Sequence, residues 1–103
     1  MAKIKVPLLL NYAQCRLLDK DYYAVIEHCN EVLRLDANNV KAFYRRAKAH
    51  AGAWNPEEAR RDFQNAVDLD ADLKTAVVKE FKALDEEQRL RDIQDKIKLQ
   101  KLF

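Results

Sequence analysis

The segments Glu31–Ala37, "EVLRLDA", and Asn65–Ala71, "NAVDLDA", are two copies of one pattern. They lie 34 residues apart, and the correspondence extends through both halves of the repeat without a gap. Small or apolar residues coincide at equivalent positions: Val6 and Val40, Cys15 and Ala49, Val25 and Ala59, Val32 and Ala66, Leu33 and Val67, and Leu35 and Leu69. A repeat of this period predicts stacked helical units, each of which covers the apolar face of its neighbour.

Each copy contains the signals of two helices. In the first copy, the following apolar residues have helical spacing: Leu8, Leu9, Tyr12, Ala13 and Leu17. A second helix is predicted from about Tyr22 to Leu35, with Asp21 as its N-cap. In the second copy, Asn38 or Asn39 is the expected N-cap of a helix that ends near Ala51. Asn55 followed by Pro56 then predicts another helix start.

The repeat stops after Leu73, and the remaining sequence, which contains neither Pro nor Gly, predicts one long helix. Its first half carries an apolar stripe of Leu73, Val77, Phe81 and Leu84, which is suited to cover the open end of the last repeat. Beyond Asp85 the stripe thins, so we expect the outer half to project from the body, with surface pairs such as Glu87–Arg91.

Composition agrees with an all-α domain. The 103 residues are 49% hydrophobic and 35% charged. One Gly and two Pro are too few turn-forming residues for a β-protein. The net charge of +2, from 19 basic and 17 acidic residues, argues against nucleic-acid binding, and no apolar run is long enough to span a membrane. Cys15 and Cys29 have no redox or metal spacing and are expected to be small buried hydrophobes in a reducing compartment.

Motifs for catalysis are lacking. The sequence has no Gly-rich phosphate loop and no nucleophile elbow, and His28, Cys29 and Cys15 do not form a metal-ligand pattern. His50 is expected to be a core or half-buried side chain. We therefore predict a protein that is not an enzyme and has no cofactor and no bound metal.

A helix pair repeated every 34 residues resembles the tetratricopeptide repeat. Its signature positions are occupied by Phe43, Ala47, His50, Ala59, Phe63 and Ala66, while Arg46 replaces the usual leucine, and Ala37 and Ala71 replace proline. The predicted organisation is a repeat region, 1–73, with units at 6–39 and 40–73, followed by a capping and extension helix at 74–103. Because the start, "MAKIKVPLLL", runs almost directly into apolar sequence, we expect a fragment of a longer protein.

The first helix of each tetratricopeptide unit lines the concave groove of the array, so this resemblance gives "VKAFYRRAKAH" (40–50) a candidate role. Lys41 and Arg45 have i,i+4 spacing and share one helix face, and Asn11 is the residue 34 positions before Arg45. These donors suit a ligand with closely spaced carboxylates. Lys48 is placed at the groove margin, and Arg46 is expected to face a neighbouring helix or solvent. The alternative is an ordinary solvated helix face.

The trio Asn11, Lys41 and Arg45 is similar to part of the carboxylate clamp of chaperone-binding tetratricopeptide co-chaperones. That resemblance implies binding of the acidic Glu-Glu-Val-Asp tail of a cytosolic, ninety-kilodalton-class heat-shock chaperone. The clamp's first Lys–Asn pair has no counterpart in this sequence, since no earlier repeat is present.

The segments "NYAQC", "YYAVIEHC" and "HAGAWN" resemble the aryl hydrocarbon receptor-interacting group of immunophilin-like co-chaperones. This resemblance implies a cytoplasmic, possibly also nuclear, protein whose final helix binds a client such as a ligand-activated receptor. The residues that it would use are Ile93, Ile97, Leu102 and Phe103, for which an amphipathic tail without a partner is the alternative. A general scaffold, or a self-associating helical repeat that binds no chaperone tail, is the competing interpretation of the whole chain.

Overall fold

The computed structural model describes residues 2–102, and this part of the chain contains five α-helices, one 3-10 turn and no strand. The helices are α1 (Ala2–Leu18), α2 (Tyr22–Leu35), α3 (Val40–Gly52), α4 (Pro56–Leu69) and α5 (Lys74–Lys101), with the 3-10 turn at Ala71–Leu73 before α5. The prediction of an all-α fold is confirmed.

The helices stack as two hairpins and a final helix. α1 packs against α2, α3 packs against α4, and α3 also contacts both helices of the first hairpin. α2 and α4 begin 34 residues apart, at Tyr22 and Pro56, and also end 34 residues apart, at Leu35 and Leu69. The 34-residue repeat of the sequence is therefore also a repeat of the backbone structure.

Side-chain capping explains the starts of α2 and α3. The Asp21 carboxylate accepts from the Ala24 N–H at 3.3 Å, and the Asn39 side chain accepts from the Ala42 N–H at 2.9 Å. Both residues are predicted N-caps. Of the two candidates for the start of α3, Asn38 and Asn39, it is Asn39 that caps the helix. Asn55 also precedes its helix as predicted, with Pro56 at the first helical position, but its side chain makes no capping hydrogen bond.

The turns inside the two hairpins are the same. Lys20 and Trp54, again 34 residues apart, have φ of 60° and 56° and are the two residues with positive φ in the described chain. At each turn the following N–H donates back to a carbonyl five residues earlier, from Asp21 to Arg16 at 2.9 Å and from Asn55 to His50 at 2.6 Å. This is the Schellman ending of a helix, which usually uses glycine in the left-handed position.

Two hydrophobic clusters form the core. The first lies between α1, α2 and α3 and contains Leu10, Ala13, Val25, Cys29, Val32, Ala42 and Ala49. The second lies between α3, α4 and α5 and contains Ala47, Ala59, Phe63, Val77 and Leu84. Alanines on opposite sides of α3 belong to different clusters, so the neighbouring helices can approach this helix closely on both sides.

The outer face of α1 is exposed. Leu10 and Ala13 are its buried residues, whereas Leu8 and Tyr12, which have the expected apolar spacing, are 46% and 50% exposed. The prediction for Cys29 is confirmed because it is buried, but that for Cys15 is wrong because it is exposed. Its equivalent, Ala49, is buried because α2 packs on that side of α3, and no described helix occupies the same side of α1.

α5 begins as a cap and continues as an extension. Val77 and Leu84 are buried, and Leu73 and Phe81 pack against the second cluster, as the apolar stripe predicted. Every described residue from 85 onward is exposed. The expected surface pair is present, with Arg91 Nε 2.9 Å from Glu87 Oε1, and the Arg91 guanidinium also lies over the Trp54 ring, 4.4 Å from its centroid.

Candidate peptide-binding groove

The exposed side of α3 carries a row of three basic side chains. Lys41, Arg45 and Lys48 are spaced i, i+4 and i+7, which places them on one face of the helix. The position of α3 is fixed by Ala42 and Ala49, which are buried in the first cluster, and by Ala47, which is buried in the second. Because packing occupies these faces of α3, the basic row lies on the face that remains open.

Two clefts lie along this row and share its residues. The first has a volume of about 430 Å³ and is lined by Val6, Pro7, Leu10, Asn11, Asn39, Val40, Lys41 and Arg45. The second has a volume of about 640 Å³ and is lined by Gln14, Leu17, Val40, Lys41, Tyr44, Arg45, Lys48, Asp70 and Leu73. Because Val40, Lys41 and Arg45 line both, the clefts form one continuous depression, which we call the α1–α3 groove.

The structure brings the predicted groove residues together. Asn11, Lys41 and Arg45 line the first cleft. Lys48 lines the second cleft, together with the same Lys41 and Arg45. Asn11 comes from α1 and the basic row from α3, which are the first helices of the two repeat units. Their role toward a ligand stays a prediction.

Arg45 is held across the groove. Its Nη1 donates to the Leu10 carbonyl oxygen of α1 at 3.0 Å, and its side chain is half-buried. A guanidinium has five N–H donors, and this bond uses one of them. The anchored side chain therefore loses less conformational freedom when it binds an anion than a fully mobile arginine would lose.

The three cations differ in their availability. Lys41 is exposed and has no acidic group within ion-pair distance among residues 2–102. Lys48 is already paired, with its Nζ 2.9 Å from Oε1 of Glu80 on α5. Burial, together with the charge of Glu80, raises the pKa of the nearby Tyr44 phenol.

The two clefts also differ in charge. The first is lined by Lys41 and Arg45 and by no carboxylate from residues 2–102. The second is lined by the same Lys41 and Arg45, and in addition by Asp70 and by Lys48, whose charge is offset by Glu80. An anionic group is therefore stabilised best in the first cleft, beside Lys41, Arg45 and the Asn11 amide.

The residues predicted to bind a client lie on the outer part of α5. Ile93, Ile97 and Leu102 are 43%, 46% and 77% exposed, and Phe103 lies outside the described residues. Leu90, at 43% exposure, continues the same side of the helix, and we call Leu90, Ile93 and Ile97 the outer α5 stripe. No described residue covers this stripe.

Sequence reasoning missed a buried ion pair on the side of α3 away from the groove. Asp62 is 3% exposed and receives two hydrogen bonds of 2.7 Å from Arg46, one from Nε and one from Nη2. Arg46 also donates to Asn30 Oδ1 at 2.8 Å. The available signal was Arg46 itself, a charge in place of an apolar residue at a packing position, which requires a buried acidic partner.

The surroundings of this ion pair are polar but enclosed. His50 is half-buried, as predicted, and its Nε2 lies 3.9 Å from Asp62 Oδ2. Asn55 Nδ2 lies 3.2 Å from His50 Nδ1, so the amide of the expected N-cap bonds this ring instead of capping α4. Burial lowers the pKa of His50 and raises the pKa of Cys29 to about 11.

Residues 2–102 contain neither a group of metal-ligating side chains nor a membrane-spanning helix. This part of the chain has no cluster of three or more His, Cys, Asp or Glu side chains that could hold a metal ion. It also has no helix that is both long enough and apolar enough to cross a membrane.

Known proteins resemble this chain in both sequence and structure. The sequence is 44% identical over 88 residues to aryl-hydrocarbon-interacting protein-like 1 of Mus musculus and 42% identical over 91 residues to that of Bos taurus. These matches cover 85% and 82% of the chain. The chain is homologous to aryl-hydrocarbon-interacting protein-like 1. It spans only 26% and 28% of the length of these two relatives, and no family model matches it.

A solved structure supports the repeat assignment. The C-terminal TPR-containing domain of an FK506-binding protein from Plasmodium falciparum superposes with a TM-score of 0.78 at 27% sequence identity. The superposition covers 88% of this chain and 60% of that domain. The prediction of a tetratricopeptide fold and the resemblance to the aryl hydrocarbon receptor-interacting group are both confirmed.

Proposed function

We propose that this segment is a non-catalytic co-chaperone module whose α1–α3 groove binds the acidic carboxyl-terminal peptide of a heat-shock chaperone. The observation that carries the proposal is the first cleft, where Lys41, Arg45 and Asn11 meet without a competing carboxylate from residues 2–102. Homology to aryl-hydrocarbon-interacting protein-like 1 and the tetratricopeptide fold favour a protein-interaction role over an enzyme.

The roles of the three side chains follow from their chemistry. The Arg45 guanidinium, oriented by its bond to the Leu10 carbonyl, is positioned to donate to the terminal carboxylate. The Lys41 ammonium, which has no acidic partner among residues 2–102, supplies a point charge for the same group or for an acidic last side chain. The Asn11 amide, which lines the same cleft from α1, donates a hydrogen bond to the ligand, and Lys48 lies further along the groove.

The organisation proposed for this function is two units, 6–39 and 40–73, with 74–103 as the capping and extension helix. The groove residues come from the first helix of each unit, Asn11 from α1 and the basic row from α3. A cytoplasmic location, with access to the nucleus, is part of the proposal because the expected chaperone partner is found there.

Calorimetry with a peptide ending in Glu-Glu-Val-Asp tests the groove. We expect Lys41→Ala and Arg45→Ala each to weaken binding about tenfold or more, since each removes a charged hydrogen-bond donor. Amidation of the peptide's carboxyl terminus should weaken it similarly. Arg61→Ala is the matched control, because Arg61 is an exposed arginine on α4 that lines neither cleft. Binding that is absent, or that ignores both Lys41 and the terminal carboxylate, would contradict the proposal.

We also propose that the outer α5 stripe, with Leu102 and Phe103, engages a client protein such as a ligand-activated receptor. The supporting observation is three apolar side chains at helical spacing, each at least 43% exposed. The double change Ile93→Lys and Ile97→Lys should abolish client capture and leave peptide affinity unchanged. If the double change instead alters a concentration-dependent molecular mass, the stripe is a self-association surface and the client proposal is wrong.

A further inference from the structure

Glu80 is an acidic residue of α5 that lies against the basic row of α3. Its Oε1 is 2.9 Å from Lys48 Nζ, and the two side chains are 23% and 40% exposed. The pair is better shielded from solvent than the Glu86–Arg89 pair further along α5, whose side chains are 56% and 58% exposed. The capping helix therefore supplies a fixed negative charge at one end of the groove.

The influence of this charge extends into the second cleft. Tyr44 and Lys48 line that cleft, and the Glu80 carboxylate contributes to the raised pKa of the Tyr44 phenol. Asp70 lines the same cleft from the segment between α4 and α5. Lys41 and Arg45 line both clefts. Once they hold the terminal carboxylate, an additional carboxylate entering the second cleft would meet two acidic groups and a lysine that is already neutralised, so its binding would be disfavoured.

The spacing of the row decides which part of a ligand reaches Lys48. Lys41 and Lys48 are seven residues apart on α3, which corresponds to a rise of about 10.5 Å. An extended peptide covers this distance in about three residues. If its terminal carboxylate is at Lys41, the side chain that reaches the second cleft belongs to the residue three positions before the terminus.

We propose that Glu80 is a specificity-determining residue, which occupies Lys48 and so prevents the groove from using an acidic side chain three positions before the ligand's terminal carboxylate. The inference rests on the proposed binding of acidic carboxyl-terminal peptides. Wild-type protein therefore recognises the terminal carboxylate in the first cleft. Its peptide affinity depends little on whether the side chain in the second cleft is acidic. The apolar residues of the second cleft, including Leu17, Val40 and Leu73, accept a neutral side chain equally well.

The test compares two peptides, one ending in Glu-Glu-Val-Asp and the other in Gln-Glu-Val-Asp. Wild-type protein should distinguish them by less than about twofold. Glu80→Gln should prefer the glutamate peptide by about fivefold, because Lys48 becomes available to its first glutamate. The double variant Glu80→Gln, Lys48→Ala should lose this preference. Glu86→Gln is the matched control, since it removes an α5 ion pair away from the groove, and thermal unfolding of each variant verifies that it is folded.

The outcomes separate the inference from the proposed function. If Lys41→Ala abolishes binding of both peptides while Glu80→Gln leaves their ratio unchanged, the groove proposal stands and the inference about Glu80 is wrong. If wild-type protein already prefers the glutamate peptide by about fivefold and Glu80→Gln adds nothing, the inference is also wrong. If neither peptide depends on Lys41, the proposed function fails, and the inference fails with it.

Discussion

The two helical hairpins share one backbone plan, but they hold equivalent positions with different chemistry. In the first, Tyr12 of α1 lies beside His28 of α2, with ring centroids 6.0 Å apart. The residues 34 positions later are Arg46 and Asp62, which form a hydrogen-bonded ion pair. A surface contact between rings in one unit is therefore a buried ionic contact in the other.

The difference follows from what covers each hairpin. α3 lies between the first hairpin and α4, so the Arg46–Asp62 pair is enclosed and Asp62 is 3% exposed. α1 has no described helix on its outer side, and Tyr12 is 50% exposed. A charge pair at an enclosed position must be fully hydrogen-bonded, because either partner left alone would be a buried unpaired charge. The Tyr12–His28 contact, on the uncovered side, has no such requirement.

The largest expected effect comes from removing one partner of the enclosed pair. Asp62→Ala leaves the half-buried Arg46 guanidinium without its carboxylate and should lower the free energy of unfolding by about 3 kcal/mol. His28→Ala, at the equivalent position of the first hairpin, should cost less than about 1 kcal/mol. Urea unfolding followed by circular dichroism measures both.

A variant that replaces both charges tests whether the effect comes from the unpaired charge. Arg46→Met with Asp62→Leu removes the pair but leaves apolar side chains of similar size, so much of the stability lost in Asp62→Ala should return. A double variant that is less stable than Asp62→Ala would show that the cost comes from lost packing and not from an uncompensated charge.

Thiol labelling sharpens the contrast between the uncovered and covered faces. Burial raises the pKa of Cys29 to about 11, so at pH 8 only about one thiol in a thousand is ionised there, and the side chain is enclosed. Cys15 is exposed on the outer side of α1. In the native 103-residue chain a thiol reagent should modify Cys15 about 100-fold faster than Cys29. Equal rates in native protein, followed by mass spectrometry, would contradict the arrangement of α1 and α2.

The pH dependence of stability should depend on His50, which has no titrating counterpart in the first hairpin because the equivalent residue is Arg16. Burial lowers the pKa of His50 below 6.5, so as pH falls the unfolded chain takes up the proton before the folded chain does. Stability should therefore be complete above pH 6.5 and decrease as pH falls below it. His50→Gln should flatten this part of a urea-unfolding series, whereas Arg16→Gln should leave it unchanged.

The sequence was most informative where the two units agree. The 34-residue register correctly predicted the helix pairs, and the residue types before α2 and α3 predicted caps at Asp21 and at Asn38 or Asn39. It failed where the units differ in their neighbours. Cys15 and Ala49 are equivalent by register but not by burial, because a periodic pattern identifies the face of a helix and not whether another helix covers it.

The same limit applies to the groove. The register predicted that Asn11 lies along one groove with Lys41 and Arg45, and all three line the first cleft. It could not place Glu80 on Lys48, because α5 has no equivalent in either unit, and its rotation against α3 depends on the packing of Val77 and Leu84. The contact between Lys48 of α3 and Glu80 of α5 could therefore be found only from the three-dimensional structure.

The smallest expected change in stability is at Lys20, one of the two turn residues in the left-handed conformation. Lys20 has φ of 60°, a conformation that costs a residue with a side chain about 1–2 kcal/mol and glycine almost nothing. After the larger entropy of the glycine-containing unfolded chain is subtracted, Lys20→Gly should stabilise the protein by about 0.5 kcal/mol.

The same change at the equivalent turn should have the opposite sign. Trp54→Gly relieves φ of 56°, but it removes an indole that packs on the second cluster and lies under Arg91, so a net loss of about 2 kcal/mol is expected. Opposite signs in urea unfolding would show that the turns share a backbone and differ only in what their side chains contact. Stabilisation by both substitutions would mean that the Trp54 indole contributes little to anchoring α5, and that the second hairpin holds α5 through Phe63 and its neighbours alone.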